Sequence, residues 1–175
     1  MHRIKGSDPM KDSEAKLRAL GKVRGKVLDT ATGLGYTAIL ASRSAAEVVT
    51  IELDPAALEI ARFNPWSQEL FSRSNIRQIV GDAFDEVPKL DQGCFAGVIH
   101  DPPTFALAGE LYSGEFYRAL QRVMKFGGTL FHYVGDPESA HGKKHYPGIM
   151  RRLHESGFAK TKVAAEAFGI TALAG

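Results

Sequence analysis

The stretch VLDTATGLGYTAIL, from Val27 to Leu40, decides the fold. Its apolar start ends in an acid, Asp29, and the chain then turns through Gly33-Leu34-Gly35 into a sequence typical of a helix. Glycine lacks the Cβ that would keep a ligand away from the backbone, so the stretch predicts a strand, a turn and a helix around a bound molecule. The spacing Gly33-x-Gly35-x-x-Ala38 fits the dinucleotide fingerprint, whereas Asp29 favours a different ligand.

The composition is that of an ordinary globular protein and excludes several classes. The length of 175 residues is enough for one compact domain with its own core. Hydrophobic residues make up 44% and charged residues 24%, as in other globular proteins. No apolar run has the length of a membrane span, and the first residues lack the apolar region of a signal peptide. The single Cys94 excludes an internal disulfide and a multi-cysteine zinc site. We therefore expect a cytoplasmic protein with no membrane contact.

The charged residues are distributed unevenly along the chain. Residues 1–26 carry eight Lys and Arg against three Asp and Glu, and residues 141–162 carry six against one. Residues 27–140 carry eight against fifteen. Two basic flanks around an acidic centre suit a polyanion such as RNA, or they are simply solvated surface. We expect a loosely held, polar and basic N-terminal segment, residues 1–24, followed by one domain, residues 25–175.

Strand-like and helix-like segments alternate after residue 24. Strands are predicted at 26–30, 47–53, 76–82, 95–101 and 129–135, helices at 36–46, from Asp54-Pro55 onward, at 110–124 with Gly127-Gly128 as its end, and near 148–155, and a closing hairpin at 160–168 and 169–175. This alternation predicts a parallel sheet with helices on both faces.

Four successive predicted strands end in an acid: Asp29, Glu52, Asp82 and Asp101. Ligands of open α/β sheets bind beyond the carboxyl ends of the strands. Core packing does not predict such a coincidence, so we interpret these acids as parts of a ligand site.

The acid before the glycine turn indicates which ligand. A dinucleotide places its pyrophosphate at the N-terminus of the helix, where Asp29 would repel it. S-adenosylmethionine carries an ammonium and a sulfonium and no phosphate, so it fits an aspartate there. Glu52 suits the two ribose hydroxyls, and Asp82 suits the adenine amino group, with Ala83 and Phe84 against its ring.

Together, D-x-A-T-G-x-G, E-L-D, G-D-A and D-P-P resemble the motifs of class I S-adenosylmethionine-dependent methyltransferases. More narrowly, LDTATGLGYTAILAS, NPWSQELF, GDAF, IHDPPTFALAGELYSGEFY and LFHYVGDP resemble a group of predicted archaeal methyltransferases, over almost the whole chain. The resemblance implies a Rossmann-like α/β fold with a seven-stranded, mostly parallel sheet whose final strand is antiparallel. It implies S-adenosyl-L-methionine as the cofactor and does not identify the methyl acceptor. Longer members of the group carry an additional N-terminal region, so we expect part of a substrate site to be absent here.

The resemblance carries the cofactor-binding role onto the matching positions of this chain. These are Asp29, Thr30, Ala31, Thr32, Gly33, Gly35, Tyr36, Thr37, Glu52, Leu53, Gly81, Asp82, Ala83, Phe84 and Asp101.

The loop Asp101-Pro102-Pro103-Thr104 resembles the catalytic loop of amino-methyltransferases. An amine conjugated to a ring is a poor nucleophile because its lone pair is delocalised. A carboxylate such as Asp101 and the carbonyl of Pro102 accept its two hydrogens and direct the lone pair at the methyl group, so much of the catalysis is orientation. Thr104 stands where those enzymes have an aromatic residue. The candidate substrate contacts are Phe105, Tyr112 and His132.

We therefore expect an enzyme that methylates an amine nitrogen, with a nucleic-acid base favoured over a small-molecule amine, and RNA favoured because DPPTF also resembles the loop of some RNA base methyltransferases. Pyrimidine C5-methylation needs a thiolate nucleophile, and Cys94 lies before strand four, away from the site. The alternatives are an aminopropyltransferase like the spermidine synthases, which uses decarboxylated S-adenosylmethionine and a polyamine, and a non-catalytic cofactor-binding module. A nicotinamide oxidoreductase ranks below these.

The remaining candidates have structural interpretations as well. His132 fits a packed strand end as well as a substrate contact, and His100 and Trp66 are expected in the core. We predict no metal site, because His141 and His145 share no face with acids at metal-ligand spacing. A dimer or a partner subunit is compatible with the sequence.

Overall fold

The computed structural model describes residues 8–175. Seven strands form one sheet: β1 Lys26–Asp29, β2 Glu47–Glu52, β3 Ile76–Val80, β4 Phe95–His100, β5 Met124–Tyr133, β6 Phe158–Ala164 and β7 Gly169–Ala174. Their order is β3-β2-β1-β4-β5-β7-β6. The first five strands pair in parallel, and β7 runs antiparallel to both β5 and β6. The predicted mostly parallel sheet and the closing hairpin are confirmed.

Helices cover both faces of this sheet. They are α1 Pro9–Leu20, α2 Tyr36–Ser42, α3 Pro55–Phe63, α4 Gln68–Ser72, α5 Ala83–Glu86, α6 Gly114–Val123 and α7 Ala140–Glu155. Apolar residues of α1, α2, α3 and α4 form one core cluster with the sheet, and those of α5, α6 and α7 form the other. None of the helices within residues 8–175 is long and apolar enough to cross a membrane.

The N-terminal segment differs from its expectation. Residues 9–20 form α1, which packs against α2 and the sheet, so this part of the segment is not loosely held. Asp8 caps the helix by accepting a hydrogen bond from the amide of Met10, with Pro9 at the first helical position. The same Asp-Pro signal correctly predicted α3 at Asp54-Pro55. The polar composition concealed α1, because it buries Asp12, Ser13 and Lys16 along with Ala15 and Leu20.

Three local expectations were wrong. The helix predicted at 110–124 is a 3-10 turn, Gly109–Tyr112, followed by α6, and Gly127-Gly128 lies inside β5 instead of ending the helix. The helix predicted near 148–155 begins earlier, because Ser139 caps it by accepting from the amide of Gly142. Trp66 is 71% exposed and not packed in the core, because the short 3-10 turn that carries it buries Ser67 instead.

Candidate functional site

The glycine turn between β1 and α2 has a backbone conformation that favours glycine. Gly33 and Gly35 have φ angles of 52° and 79°, in the left-handed region that other residues rarely adopt. A Cβ on Gly35 would lie 2.7 Å from the Cδ2 of Leu70. The turn therefore brings bare backbone to the carboxyl edge of the sheet, as the sequence predicted.

Asp29, at the end of β1, is fully buried beneath this turn. Its Oδ2 accepts a hydrogen bond from the hydroxyl of Thr37 at 2.8 Å. Burial raises the pKa of the Asp29 carboxyl to about 7, although the hydrogen bonds from Thr37 and from the amide of Ala31 oppose that shift. A cation bound nearby would favour the ionised form, so Asp29 is poised to respond to a positively charged ligand.

Glu52, at the end of β2, is hydrogen-bonded to two neighbouring loops. Its Oε2 accepts from the amide of Gly33 at 2.7 Å, and its Oε1 accepts from the amide of Asp54 at 3.0 Å. A carboxylate oxygen has two acceptor sites, so each oxygen can accept one further hydroxyl.

A buried ion-pair cluster joins α1 to the end of β4, and sequence reasoning missed it. The Nζ of Lys16 contacts the Oδ2 of Asp12 at 2.8 Å and the Oδ2 of Asp101 at 2.5 Å. Burial alone would lower the pKa of the Lys16 ammonium, but the contacts with Asp101 and Asp12 outweigh it and raise that pKa. The spacing of Asp12 and Lys16, four residues apart after Asp8-Pro9, was the signal available in the sequence.

One cavity of about 480 Å³ lies at the carboxyl ends of β1, β2 and β4, beside the glycine turn, Glu52 and the ion pairs of Lys16. That volume lies within the usual range for small-molecule sites. The predicted residues that line it are Ala31, Thr32, Gly33, Gly35, Tyr36, Thr37, Glu52, Asp101 and Pro103. Residues not predicted are Pro9, Asp12, Ser13, Lys16, Leu34, Asp54, Ala57 and Ile60. We call this the cofactor cavity, after the role that the sequence predicts for its lining residues.

The other predicted residues lie outside its wall. Asp29 and Thr30 are buried behind the turn, and Leu53 is exposed at its side. Gly81, Asp82, Ala83 and Phe84 follow β3, where Asp82 caps α5 by accepting from the amide of Phe84. Their role against an adenine ring stays a prediction.

The loop after β4 is held in place at both ends. Asp101 contacts Lys16, and the hydroxyl of Tyr112 donates to the carbonyl of Pro103 at 2.9 Å. Pro102 is buried, and Thr104 is exposed at the turn, where its carbonyl accepts from the amide of Leu107. The loop therefore presents Asp101 on one side and Thr104 with the next residue, Phe105, on the other.

A second cavity, of about 180 Å³, lies on the Thr104 side of this loop. Its walls include Phe105 and Tyr112, whose ring centroids are 5.4 Å apart, and His141 and His145 from α7, whose centroids are 4.1 Å apart. Tyr133 from β5 completes one side. The described lining residues include no Asp or Glu. We call this the aromatic cavity.

His132 does not reach either cavity, because it is fully buried under the sheet edge. Its Nε2 accepts from the hydroxyl of Tyr117 at 2.9 Å, and its Nδ1 donates to the carbonyl of His100 at 3.3 Å. The structure therefore places this candidate substrate contact in the core. Within residues 8–175, no group of three or more His, Cys, Asp and Glu side chains is arranged to hold a metal ion.

The chain has relatives among curated proteins, although no protein-family model matches it. It is 50% identical over 175 residues to an uncharacterized protein of the archaeon Methanocaldococcus jannaschii, covering 99% of this chain and 60% of that protein. It is 30% identical over 142 residues to polyamine aminopropyltransferase 2 of Streptomyces coelicolor, covering 76% of this chain and 26% of that enzyme. The chain thus spans less than two thirds of the length of either relative.

Solved structures show the same fold. A spermidine synthase in complex with the transition-state analogue AdoDATO superposes with a TM-score of 0.81 at 20% identity, over 96% of this chain and 62% of that one. A Listeria monocytogenes protein assigned as an S-adenosylmethionine-dependent methyltransferase gives 0.69 at 12% identity, over 96% of this chain and all of that one. The Rossmann-like fold shared by methyltransferases and spermidine synthases is therefore confirmed.

Proposed function

We propose that this protein transfers the methyl group of S-adenosylmethionine to an amine nitrogen of a nucleic-acid base, with RNA the favoured acceptor. One observation carries the proposal: Asp101 lies in the wall of the cofactor cavity, while Thr104 and Phe105 of the same loop line a second, aromatic cavity. A loop that borders both spaces is placed to hold an acceptor nitrogen against the cofactor.

The charges around the cofactor cavity support S-adenosylmethionine. The described lining residues include Asp12, Glu52, Asp54 and Asp101 but only one basic side chain, Lys16. S-adenosylmethionine carries an ammonium, a sulfonium and one carboxylate. The acids suit the two cationic groups, and Lys16 is the one partner for the carboxylate. A pyrophosphate would meet an acidic wall, which disfavours a nicotinamide dinucleotide.

Different residues of this chain would bind the cofactor and orient the acceptor. Glu52 would accept the ribose hydroxyls, and the glycine turn would admit the methionine end close to its backbone. The sulfonium of the bound cofactor supplies an activated methyl group. Asp101 and the carbonyl of Pro102 would accept the two hydrogens of the acceptor amine and direct its lone pair at that methyl. In-line attack by that lone pair would form the nitrogen–carbon bond as the carbon–sulfur bond breaks, with S-adenosylhomocysteine as the leaving group and one proton passing from the methylated nitrogen to water. No covalent enzyme intermediate is required.

The surface of α7 favours a nucleic acid over a free small amine. This helix lines the aromatic cavity with His141 and His145 and exposes Lys143, Lys144 and Arg151 to solvent. Exposed basic side chains beside an aromatic cavity are typical of sites that contact phosphates while holding a base.

Arg152 has a structural role instead. Its Nε donates to the carbonyl of Tyr112 at 3.0 Å, which ties α7 to the wall of the aromatic cavity. We therefore leave it out of the proposed phosphate contacts.

A second candidate is aminopropyl transfer from decarboxylated S-adenosylmethionine to a polyamine. The similarity to polyamine aminopropyltransferase 2 and to the spermidine synthase structure favours it. The aromatic cavity argues against it, because its described walls offer no carboxylate to a polycation.

The test is a parallel calorimetric titration with S-adenosylmethionine, its decarboxylated form and NAD, followed by a methyl-transfer assay on RNA. We expect S-adenosylmethionine to bind at least about tenfold more tightly than either competitor. Preference for the decarboxylated form would replace the proposal with aminopropyl transfer, and binding of NAD alone would overturn both.

A further inference from the structure

We propose that the aromatic cavity is the acceptor subsite and that it takes one uncharged, planar, amino-bearing heteroaromatic ring, stacked against the aromatic wall that Phe105 of the β4 loop and His145 of α7 form together. This inference rests on the proposed function and specifies its acceptor. It also answers a question raised by the sequence, because Thr104 stands where related loops carry an aromatic residue.

The two cavities share a thin partition. On one side of it, Pro103 lines the cofactor cavity and the adjacent Thr104 lines the aromatic cavity. On the other side, the Nζ of Lys16 lies 4.7 Å from the centroid of the Tyr133 ring, and these two residues line the cofactor and aromatic cavities respectively. The two cavities are therefore neighbours across the β4 loop and across the contact between Lys16 and Tyr133.

Aromatic side chains in the walls of the aromatic cavity supply the stacking face that Thr104 lacks. The centroid of Phe105 lies 5.9 Å from that of His145, with 37° between the planes, and both side chains reach the cavity. Phe105 is 46% exposed although it is apolar. Two rings facing a common space from different elements are a stacking platform, and stacking tolerates any planar ring because every base has a π-face.

Charge separates this ligand from a polyamine. The described lining residues carry two histidines and no Asp or Glu. The carboxylates of Asp12 and Asp101, near Tyr133 on the side of the cofactor cavity, are already in contact with Lys16. A chain with two or more ammonium groups would find no carboxylate among the described lining residues, whereas a neutral ring loses little on leaving water.

The volume limits the ligand to a single ring system. An engineered apolar cavity of about 150 Å³ holds one benzene molecule. At about 180 Å³, the aromatic cavity has room for the base of a nucleotide and not for its sugar, which would lie outside, towards α7.

The test uses the 175-residue chain saturated with S-adenosylhomocysteine and, separately, the chain without cofactor. Adenosine, cytidine, guanosine and putrescine are titrated into each, and binding is followed by ligand-observed NMR. We expect at least one nucleoside to bind and putrescine not to bind. Phe105→Ala and His145→Ala should each weaken that nucleoside at least about fivefold.

The chain offers a matched control for each variant. Phe126→Ala removes a phenyl ring that is 90% exposed in β5, outside the cavity, and His154→Ala removes an exposed imidazole from the same helix as His145. Both controls should leave nucleoside binding unchanged. All four variants should keep the affinity for S-adenosylhomocysteine, since none of these residues lines the cofactor cavity.

Each result decides a different point. Binding of putrescine that Phe105→Ala weakens overturns the inference. Nucleoside binding that neither Phe105→Ala nor His145→Ala weakens also overturns it. So does cofactor binding with no nucleoside binding, which leaves the cofactor assignment standing. Failure of S-adenosylhomocysteine to bind counts against the proposed function instead, and the titrations without cofactor then test the cavity by themselves.

Discussion

Two clusters of buried polar side chains lie side by side at the carboxyl edge of the sheet, and they solve the problem of burial differently. The carboxylate cluster consists of Asp12, Lys16 and Asp101, with Asp29 nearby. The histidine cluster consists of His100, His132 and Tyr117. Adjacent residues, His100 and Asp101, belong to different clusters.

The histidine cluster is neutral and internally satisfied. Nδ1 of His100 accepts from the hydroxyl of Thr30 at 2.7 Å, and its Nε2 donates to the carbonyl of Leu111 at 2.9 Å. Burial lowers the pKa of His100 to about 4 and that of His132 well below its ordinary value, so both rings are uncharged near neutral pH. A buried network whose polar groups are all hydrogen-bonded favours one specific packing of the core around it.

The carboxylate cluster contains a charged group and faces a cavity. Two acids contact the Lys16 ammonium, and burial raises the pKa of the nearby Asp29 carboxyl to about 7. Charges kept in a buried place cost free energy unless they are paired, and here Lys16 pairs with Asp12 and Asp101 beside an open cavity. The difference teaches that burial alone does not distinguish a structural cluster from a candidate site, whereas charged groups beside an open cavity single out the candidate site.

The largest expected effect is on catalysis. Asp101→Ala should lower the rate of methyl transfer by about a thousandfold, because the acceptor amine loses the carboxylate that orients it. The affinity for S-adenosylmethionine should change little, as measured by calorimetry. Asp91→Ala, which removes an exposed acid elsewhere, is the control. Equal loss of rate and of cofactor affinity would place Asp101 with the cofactor instead of the acceptor.

On the other side of the comparison, His132→Ala should lower the free energy of unfolding by about 2–4 kcal/mol, because it opens a cavity and leaves the hydroxyl of Tyr117 without its acceptor. Denaturant titration measures this, with the exposed His154→Ala as control. The folded variant should bind S-adenosylmethionine normally. Weaker binding by a stably folded variant would show that the two clusters are one site.

The next effect concerns pH. The Asp29 carboxyl is protonated below its pKa of about 7 and then no longer attracts a cation, so affinity for S-adenosylmethionine should fall about tenfold from pH 8 to pH 6. Asp29→Asn should bind about tenfold more weakly at pH 8 and show little further loss at pH 6. Equal affinity of the two proteins at pH 8 would remove Asp29 from the cofactor interaction. Thr37→Ser, which keeps the hydroxyl that donates to Asp29, is the control.

The smallest effect should be one of selectivity. Lys16→Met removes the one basic side chain among the described residues of the cofactor cavity. The preference for S-adenosylmethionine over its decarboxylated form should fall by about fivefold, since the carboxylate loses its partner. Arg18→Met, on the exposed face of the same helix, should leave that ratio unchanged. An unchanged ratio in Lys16→Met would confine Lys16 to holding Asp12 and Asp101 together.

The sequence predicted the sheet and the glycine turn because their signals are local. Strand periodicity and the acids that directly follow strands are read within a few residues, and parallel pairing brings Asp29, Glu52 and Asp101 to one edge. The structure confirms that these three acids lie at the same edge of the sheet. The adenine contacts assigned to Asp82 and its neighbours stay predictions.

What the sequence could not predict depends on long-range contacts. Lys16 and Asp101 are 85 residues apart, and nothing in either local pattern indicates their contact. The aromatic cavity likewise joins Phe105 to α7, a helix whose start was predicted too late. The expectation that Trp66 lies in the core failed for a local reason, because the 3-10 turn that carries it buries Ser67 and holds Trp66 at the surface.

The contact between Lys16 and Asp101 also fixes when the site can form. During synthesis α1 is made before β4, so Lys16 can pair with Asp12 of its own helix but not with Asp101 until β4 has been made and has paired with β1. Closing a loop of that length costs entropy before any contact repays it, which slows folding. The cofactor cavity is therefore one of the later products of folding, and a nascent chain that stops short of β4 contains the glycine turn without a working site.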